Sequence, residues 1–235
     1  MQDIGDTFGT AARLILAADP ALLEIVWLSL RVSLGAVLVS CLVGLPLGAA
    51  LAVFRFPGRH FLTVAVNALM GLPPVVVGLM FYMLLSRSGP FGPLDLLYTP
   101  AAMILAQTVL VTPIVAALTR QVIDDLHREY DEQLRSLGVR RLGTLATLLW
   151  DGRHSLLTVA LAGFGRAIAE VGAVIIVGGN INHVTRVMTT AIALETSKGD
   201  LGLALALGLI LISLAIIING TVMSFRLTIA RTARA

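Results

Sequence analysis

The chain has 235 residues, 57% of them hydrophobic and only 13% charged, with a net charge of +3 and a mean hydropathy of +0.91. Soluble domains carry roughly 25% charged residues, so this composition excludes a soluble globular protein and points to an integral membrane protein. The one lysine, Lys198, follows Ser197; no Gly-Lys-Ser/Thr phosphate loop exists, and any ATP hydrolysis must come from another subunit.

Residues 1–20 read as a short outer or interfacial segment. Asp3 and Asp6 stand where a signal peptide would carry basic residues, so no cleaved signal is expected. A helix needs about 20 apolar residues to cross roughly 30 Å of hydrocarbon, and 21–230 holds five such stretches. The first, Leu22 to Phe54, carries Arg31 near its start, expected to snorkel to the outer interface. It also holds the single cysteine, Cys41, so no internal disulfide can form. Late in it, Gly44-Leu45-Pro46-Leu47-Gly48 permits either close helix contact or a simple proline kink.

A basic turn, Arg55 to Arg59, leads to the second stretch, Phe61 to Leu85. Pro73 and Pro74 remove two backbone donors in its middle, so the helix must bend or break there. Broken helices at membrane depth are tolerated where they pack in protein or line a cavity. After a Gly- and Pro-rich loop, Ser86 to Pro100, comes the third stretch, Ala101 to Ile123. Gln107, Thr108, Thr112 and Pro113 give it a polar face.

The segment 124–153 is the only long charged run between two strongly apolar blocks, and it must sit in water. Tyr130, Leu134 and Leu137 form one apolar stripe at helical spacing; Leu142, Leu145 and Leu149 start another beyond Gly138. Two short helices around a glycine are expected, as a docking element. The fourth stretch, Ser155 to Val177, is expected to close at Gly178-Gly179-Asn180 on a left-handed cap. Ile181 to Asp200 is polar with one short amphipathic piece, Val187 to Leu194. The fifth stretch is Leu201 to Phe225, and 231–235 form a tail.

Arginine placement predicts orientation. With 124–153 inside, Arg55, Arg59, Arg120, Arg128, Arg135, Arg140, Arg141, Arg153, Arg226, Arg231 and Arg234 face the cytoplasm. Arg13, Arg87, Arg186 and Lys198 face out. Eleven against four supports N-terminus out and C-terminus in. Arginines so dispersed among membrane loops do not suggest nucleic acid as a partner, despite a pI near 9.6.

Ionisable residues inside a span point to function. Arg166 and Glu170, four apart in the fourth stretch, would share a helical face. They read either as a structural ion pair or as part of an anion path in which the guanidinium meets the ion. Asn180, Thr185, Arg186, Thr189, Thr190 and Glu195 form a polar cluster near the outer side. It is either a solvated loop or a set of weak donors that hold an oxyanion loosely enough to release it. The histidines lack metal-ligand spacing, and neither HExxH nor GxSxG occurs; no catalytic residue, metal or cofactor is expected.

Glu132-Gln133-Leu134, three more residues and then Gly138 resemble the "EAA" loop of permease subunits from ATP-binding-cassette importers. Leu148 stands where that family has an apolar residue ten positions beyond the glycine. Gln133 and Leu134 replace the two alanines, and Trp150-Asp151 stand where Leu-Pro is common. Gly163 to Asn180, Thr185 to Asp200 and Leu72-Pro73-Pro74-Val75-Val76-Val77-Gly78 are similar to the permeases for molybdate, sulfate and tungstate, the second of these stretches most of all to the tungstate type. The resemblance covers the chain from about Leu22.

It implies an all-α membrane protein of the type I importer permease fold, working as a homodimer in the lipid of the cell's inner membrane. Two ATPase subunits would dock on the cytoplasmic loops through Glu132, Leu134, Leu137, Gly138, Arg140 and Leu148. An extracytoplasmic substrate-binding protein would deliver tungstate, with molybdate or sulfate as alternatives. The broken second stretch at Pro73 and Pro74, together with the fourth, would form much of the gate. An ATP-independent anion channel or carrier built on Arg166 and Glu170, or a membrane assembly factor, are the readings from other classes.

Overall fold

The computed structural model describes residues 4–232, with side chains through 221 except those of Ile4 and Asp6. The expectations at Asp3 and Arg234 thus lie outside the described residues, and those at Asp6, Arg226 and Arg231 outside the described side chains. Among the described residues every regular element is helical: α1 (Ile4–Leu16), α2 (Pro20–Val53), α3 (Arg59–Leu69), α4 (Pro74–Leu85), α5 (Pro100–Ser136), α6 (Arg141–Asp151), α7 (Arg153–Ile168), α8 (Gly172–Gly178), α9 (Met188–Lys198) and α10 (Leu201–Thr232), with a 3-10 turn at Gly92–Leu94. The helix α1 lies in the stretch read as an outer or interfacial segment, where no helix is expected.

Among the described residues three helices are long and apolar enough to cross a membrane: Pro20–Val53, Pro100–Ser136 and Leu201–Thr221. Two broken pairs, Arg59–Leu69 with Pro74–Leu85 and Arg153–Ile168 with Gly172–Gly178, bring the number to five.

Each long span starts on a polar side chain. Asp19 Oδ1 accepts the N–H groups of Ala21 and Leu22 at 2.9 and 3.2 Å, ahead of Pro20 at the first helical position. Thr99 Oγ1 accepts from Ala102, again with proline following, and Asp200 Oδ1 from Leu203. Without water at membrane depth, these orphan N–H groups need protein partners. Both α2 and α5 run on through Pro46 and Pro113.

The chain divides into two compact units: Met1–Leu34, Pro74–Ala106 and Ile168–Ala235 form the first, Gly35–Pro73 and Gln107–Ala167 the second. In the first, α10 packs against α1 and α9, and α4 against α8. A Cβ at Gly78 would lie 2.9 Å from Ala173 Cα, so α4 and α8 approach backbone to backbone. Ser29 Oγ, on α2, accepts the Met188 N–H at 2.7 Å and caps α9.

In the second unit the later part of α2 meets α5 through the glycine pair. A Cβ at Gly44 would lie 2.9 Å from Val115 Cγ1, and one at Gly48 2.7 Å from Thr119 Cβ. The Gly44–Gly48 stretch therefore serves close contact. Gln107 Nε2 donates to Ala167 O at 3.0 Å and ties α7 to α5.

One expectation fails at the fourth stretch. It is not a single helix: α7 ends at Ile168 and α8 begins at Gly172. Glu170 sits in the break, so it does not share a helical face with Arg166. Its Oε1 accepts the Ala173 N–H at 3.2 Å and its backbone carbonyl accepts the Thr189 hydroxyl at 2.8 Å. A short polar side chain that folds back on the backbone offers it an alternative to the helical ladder. The expected close at Gly179 is present, with φ +69.

Candidate functional site

Two groups of the expected site residues are each gathered within one unit. The first is the elbow of the second unit. The helix α5 does not stop where its apolar stretch ends but continues to Ser136, so the first of the two expected short helices is the end of a span. Acid-before-base pairs at i,i+4 support this charged extension, Asp124–Arg128 and Asp131–Arg135, both at 2.7 Å. Arg59 donates to the Leu51 and Ala52 carbonyls at the end of α2 and lies 3.7 Å from Asp124.

The extension ends on Gly138 at φ +67. Gly138 N–H donates to Arg135 O and Val139 N–H to Leu134 O, both at 3.0 Å, the bond pair of a Schellman close. Leu134 and Val139 line the same cavity, of about 360 Å³, with Arg55, His127, Asp131 and Thr144 among its walls. The chain then turns into α6. Asp151, at the end of α6, lies beside Tyr130; its carboxylate first, then that of Glu129, raises the phenol pKa above its ordinary value.

The two faces of α6 differ. Leu148 is fully buried, with Thr144 beside it. Leu148 therefore anchors the elbow rather than offering contact surface. Leu137, Leu142 and Trp150 are 76%, 73% and 72% exposed. Glu132 and Arg140 are also exposed and Leu134 half-buried. The result is a turn with three large apolar side chains exposed and rimmed by charge.

The second group lies in the first unit, and it is not a solvated loop. Thr185 and Thr190 are fully buried and Thr189 nearly so. Thr185 Oγ1 donates to Gly178 O and accepts the Ile181 N–H. Thr190 Oγ1 donates to Asn180 Oδ1 at 2.9 Å, while Asn180 Nδ2 returns to Thr190 O at 3.3 Å. These groups fix the segment between α8 and α9 instead of standing open. Arg186 Nη1 lies 3.9 Å from Glu195 Oε1, and Lys198 Nζ lies 3.0 Å from the same oxygen. Glu195 is 6% exposed, and the buried Arg186 Nε has no partner. Two cations over one carboxylate leave a net positive site.

Pro73 and Pro74 stand where α3 gives way to α4, Pro74 at the first position of α4. Arg166 lies in the last turn of α7, where a cation suits the helix dipole, and it is half-buried and engaged. Ser29 and Gln107 do as much positioning as any of these; periodicity carries no signal for a serine that caps a helix 159 residues away.

Over residues 44–225 the chain matches the family model described as binding-protein-dependent transport system inner membrane component. The chain belongs to this family. It is 38% identical to the tungstate uptake system permease protein TupB of Peptoclostridium acidaminophilum, over 96% of this chain and 99% of that one. To a probable anion ABC transporter permease protein of Haloferax volcanii it is 38% identical, over 87% and 90%. To the TupB of Campylobacter jejuni subsp. jejuni it is 37% identical, over 92% and 90%. As a member of this transport family the chain is a multi-pass membrane permease subunit and not itself an enzyme.

Proposed function

We propose that this permease carries tungstate inward, driven by a separate ATPase that docks on the elbow. The observation that carries the coupling is the pairing of buried Leu148 with exposed Leu137, Leu142 and Trp150. One face of the elbow is fixed to the second unit and the other is left for a partner. Large exposed apolar side chains rimmed by charge mark a protein contact. Two copies of the chain would form the pathway and each elbow would take one ATPase. A binding protein on the far side would deliver the anion. The substrate follows from the two tungstate relatives at 37–38% identity.

In this reading ATP closes the ATPase pair and draws the two elbows together. The membrane halves then rock, and the broken spans at Pro73–Pro74 and 169–171 change their alignment. Arg186, with an unpartnered buried Nε and a net positive neighbourhood, is the path residue best suited to an oxyanion. Arg166, Glu170, Asn180, Thr185, Thr189 and Thr190 hold the gate's shape rather than the ion itself.

Reconstitution with the cognate ATPase and binding protein tests this. ATP-dependent tungstate uptake exceeding molybdate and sulfate uptake is expected, with none when the ATPase is left out. Equal uptake without the ATPase would make the chain a self-sufficient anion carrier and end this reading.

A further inference from the structure

An elongated groove of about 520 Å³ runs along the second unit between the later part of α2 and the start of α7. Its walls are apolar, from Leu38, Leu42 and Pro46 on α2 to Leu149, Leu156 and Leu157 opposite, and its one charged lining residue is Arg153. Leu38 and Leu42 are more than 60% exposed in this groove. Arg153 is the first residue of α7, where the water-facing elbow passes into the span. Its Nη1 donates to Trp150 O at 2.8 Å, and its guanidinium lies over the Trp150 ring, 4.9 Å from the centroid.

The depth of the groove is set by α2. From Leu38 to Pro46 α2 rises by eight steps, roughly 12 Å along the helix axis, close to one leaflet's share of a roughly 30 Å core. It therefore fits an acyl chain of one leaflet and not a membrane-crossing segment. The charge at its mouth selects the headgroup. One carbonyl takes one of five guanidinium N–H groups, and the remaining donors suit a phosphate oxygen. No acid lines the groove to compete.

We propose that this groove binds an anionic glycerophospholipid of the leaflet on the elbow's side, its acyl chain along α2 and its phosphate on Arg153. The site requires the membrane placement of the family but neither the tungstate reading nor the ATPase. Cys41, half-buried in the groove wall and the only thiol in the chain, reports on occupancy.

The full chain in neutral detergent is mixed with phosphatidylglycerol, phosphatidylcholine or inorganic phosphate, and the rate of Cys41 modification by an apolar maleimide is followed. Phosphatidylglycerol is expected to slow it about five-fold more than phosphatidylcholine, and inorganic phosphate to have no effect. Arg153→Gln should bring the two lipids level, while Arg153→Lys keeps part of the difference and shows that the fold survives. Equal slowing by both lipids on the unaltered chain, or no loss of preference in Arg153→Gln, would overturn the proposal. So would an oxidative Cys41–Cys41 cross-link between copies, which would place a second protomer in the groove. None of these readings depends on transport.

Discussion

Gly138 and Leu148 do opposite things within eleven residues. Gly138 meets no neighbour within 4 Å of an added Cβ, so space does not demand glycine; its φ of +67 does. Gly138→Ala should cost about 1 kcal/mol and misdirect α6. The expected outcome is a protein that still reaches the membrane but loses copurification with its ATPase and its uptake. Leu148 is buried at 0% exposure, and Leu148→Ala should cost about 2–5 kcal/mol, read as a lower melting temperature. Leu142→Ala, at a site 73% exposed, should leave melting unchanged and weaken ATPase copurification. A destabilised Leu142→Ala, or a fully stable Leu148→Ala, would contradict the assigned faces.

At the scale of elements, the pairing of α4 with α8 is sensitive to change. Each is the second half of a broken span, and Gly78 lets them touch. A valine there would press on Ala173 Cα and O and on Ile176, atoms that cannot swing aside. Gly78→Val is expected to destabilise by about 1–3 kcal/mol, seen as reduced melting and poorer membrane yield. The same elements show what the sequence could and could not tell. The proline pair announced the first break because a missing donor and a ring clash are local facts. The second break was hidden, since Ala169-Glu170-Val171 holds no proline; it depends on a carboxylate that folds back onto Ala173. The charged stretch after Ile123 was read as a new helix because its composition changes there. The backbone does not follow composition, and α5 continues. The Thr185–Thr190 segment was open to two readings because polarity alone cannot separate solvent from an internal partner. Asn180, Gly178 and Glu170 decide it, seven to nineteen residues earlier, through hydrogen bonds that no periodicity announces.

For the whole molecule, the distribution of arginines predicts a sidedness that can be measured. With Cys41→Ser as background, Ser136→Cys should react with an impermeant maleimide only from the cytoplasmic face, and Ser88→Cys only from the other. The reverse pattern would invert the molecule and remove the elbow from reach of ATP.

The uninterrupted run of α5 has a mechanical corollary. At 37 residues, with Pro113 within it, it is roughly 55 Å long, and it is expected to carry a push from one tip towards the other. Softening its shaft with Gln121→Gly and Val122→Gly should leave the motor bound and burning nucleotide while the cargo stays put. A stiff shaft, in other words, is what would convert a stroke in the cytosol into an opening within the bilayer.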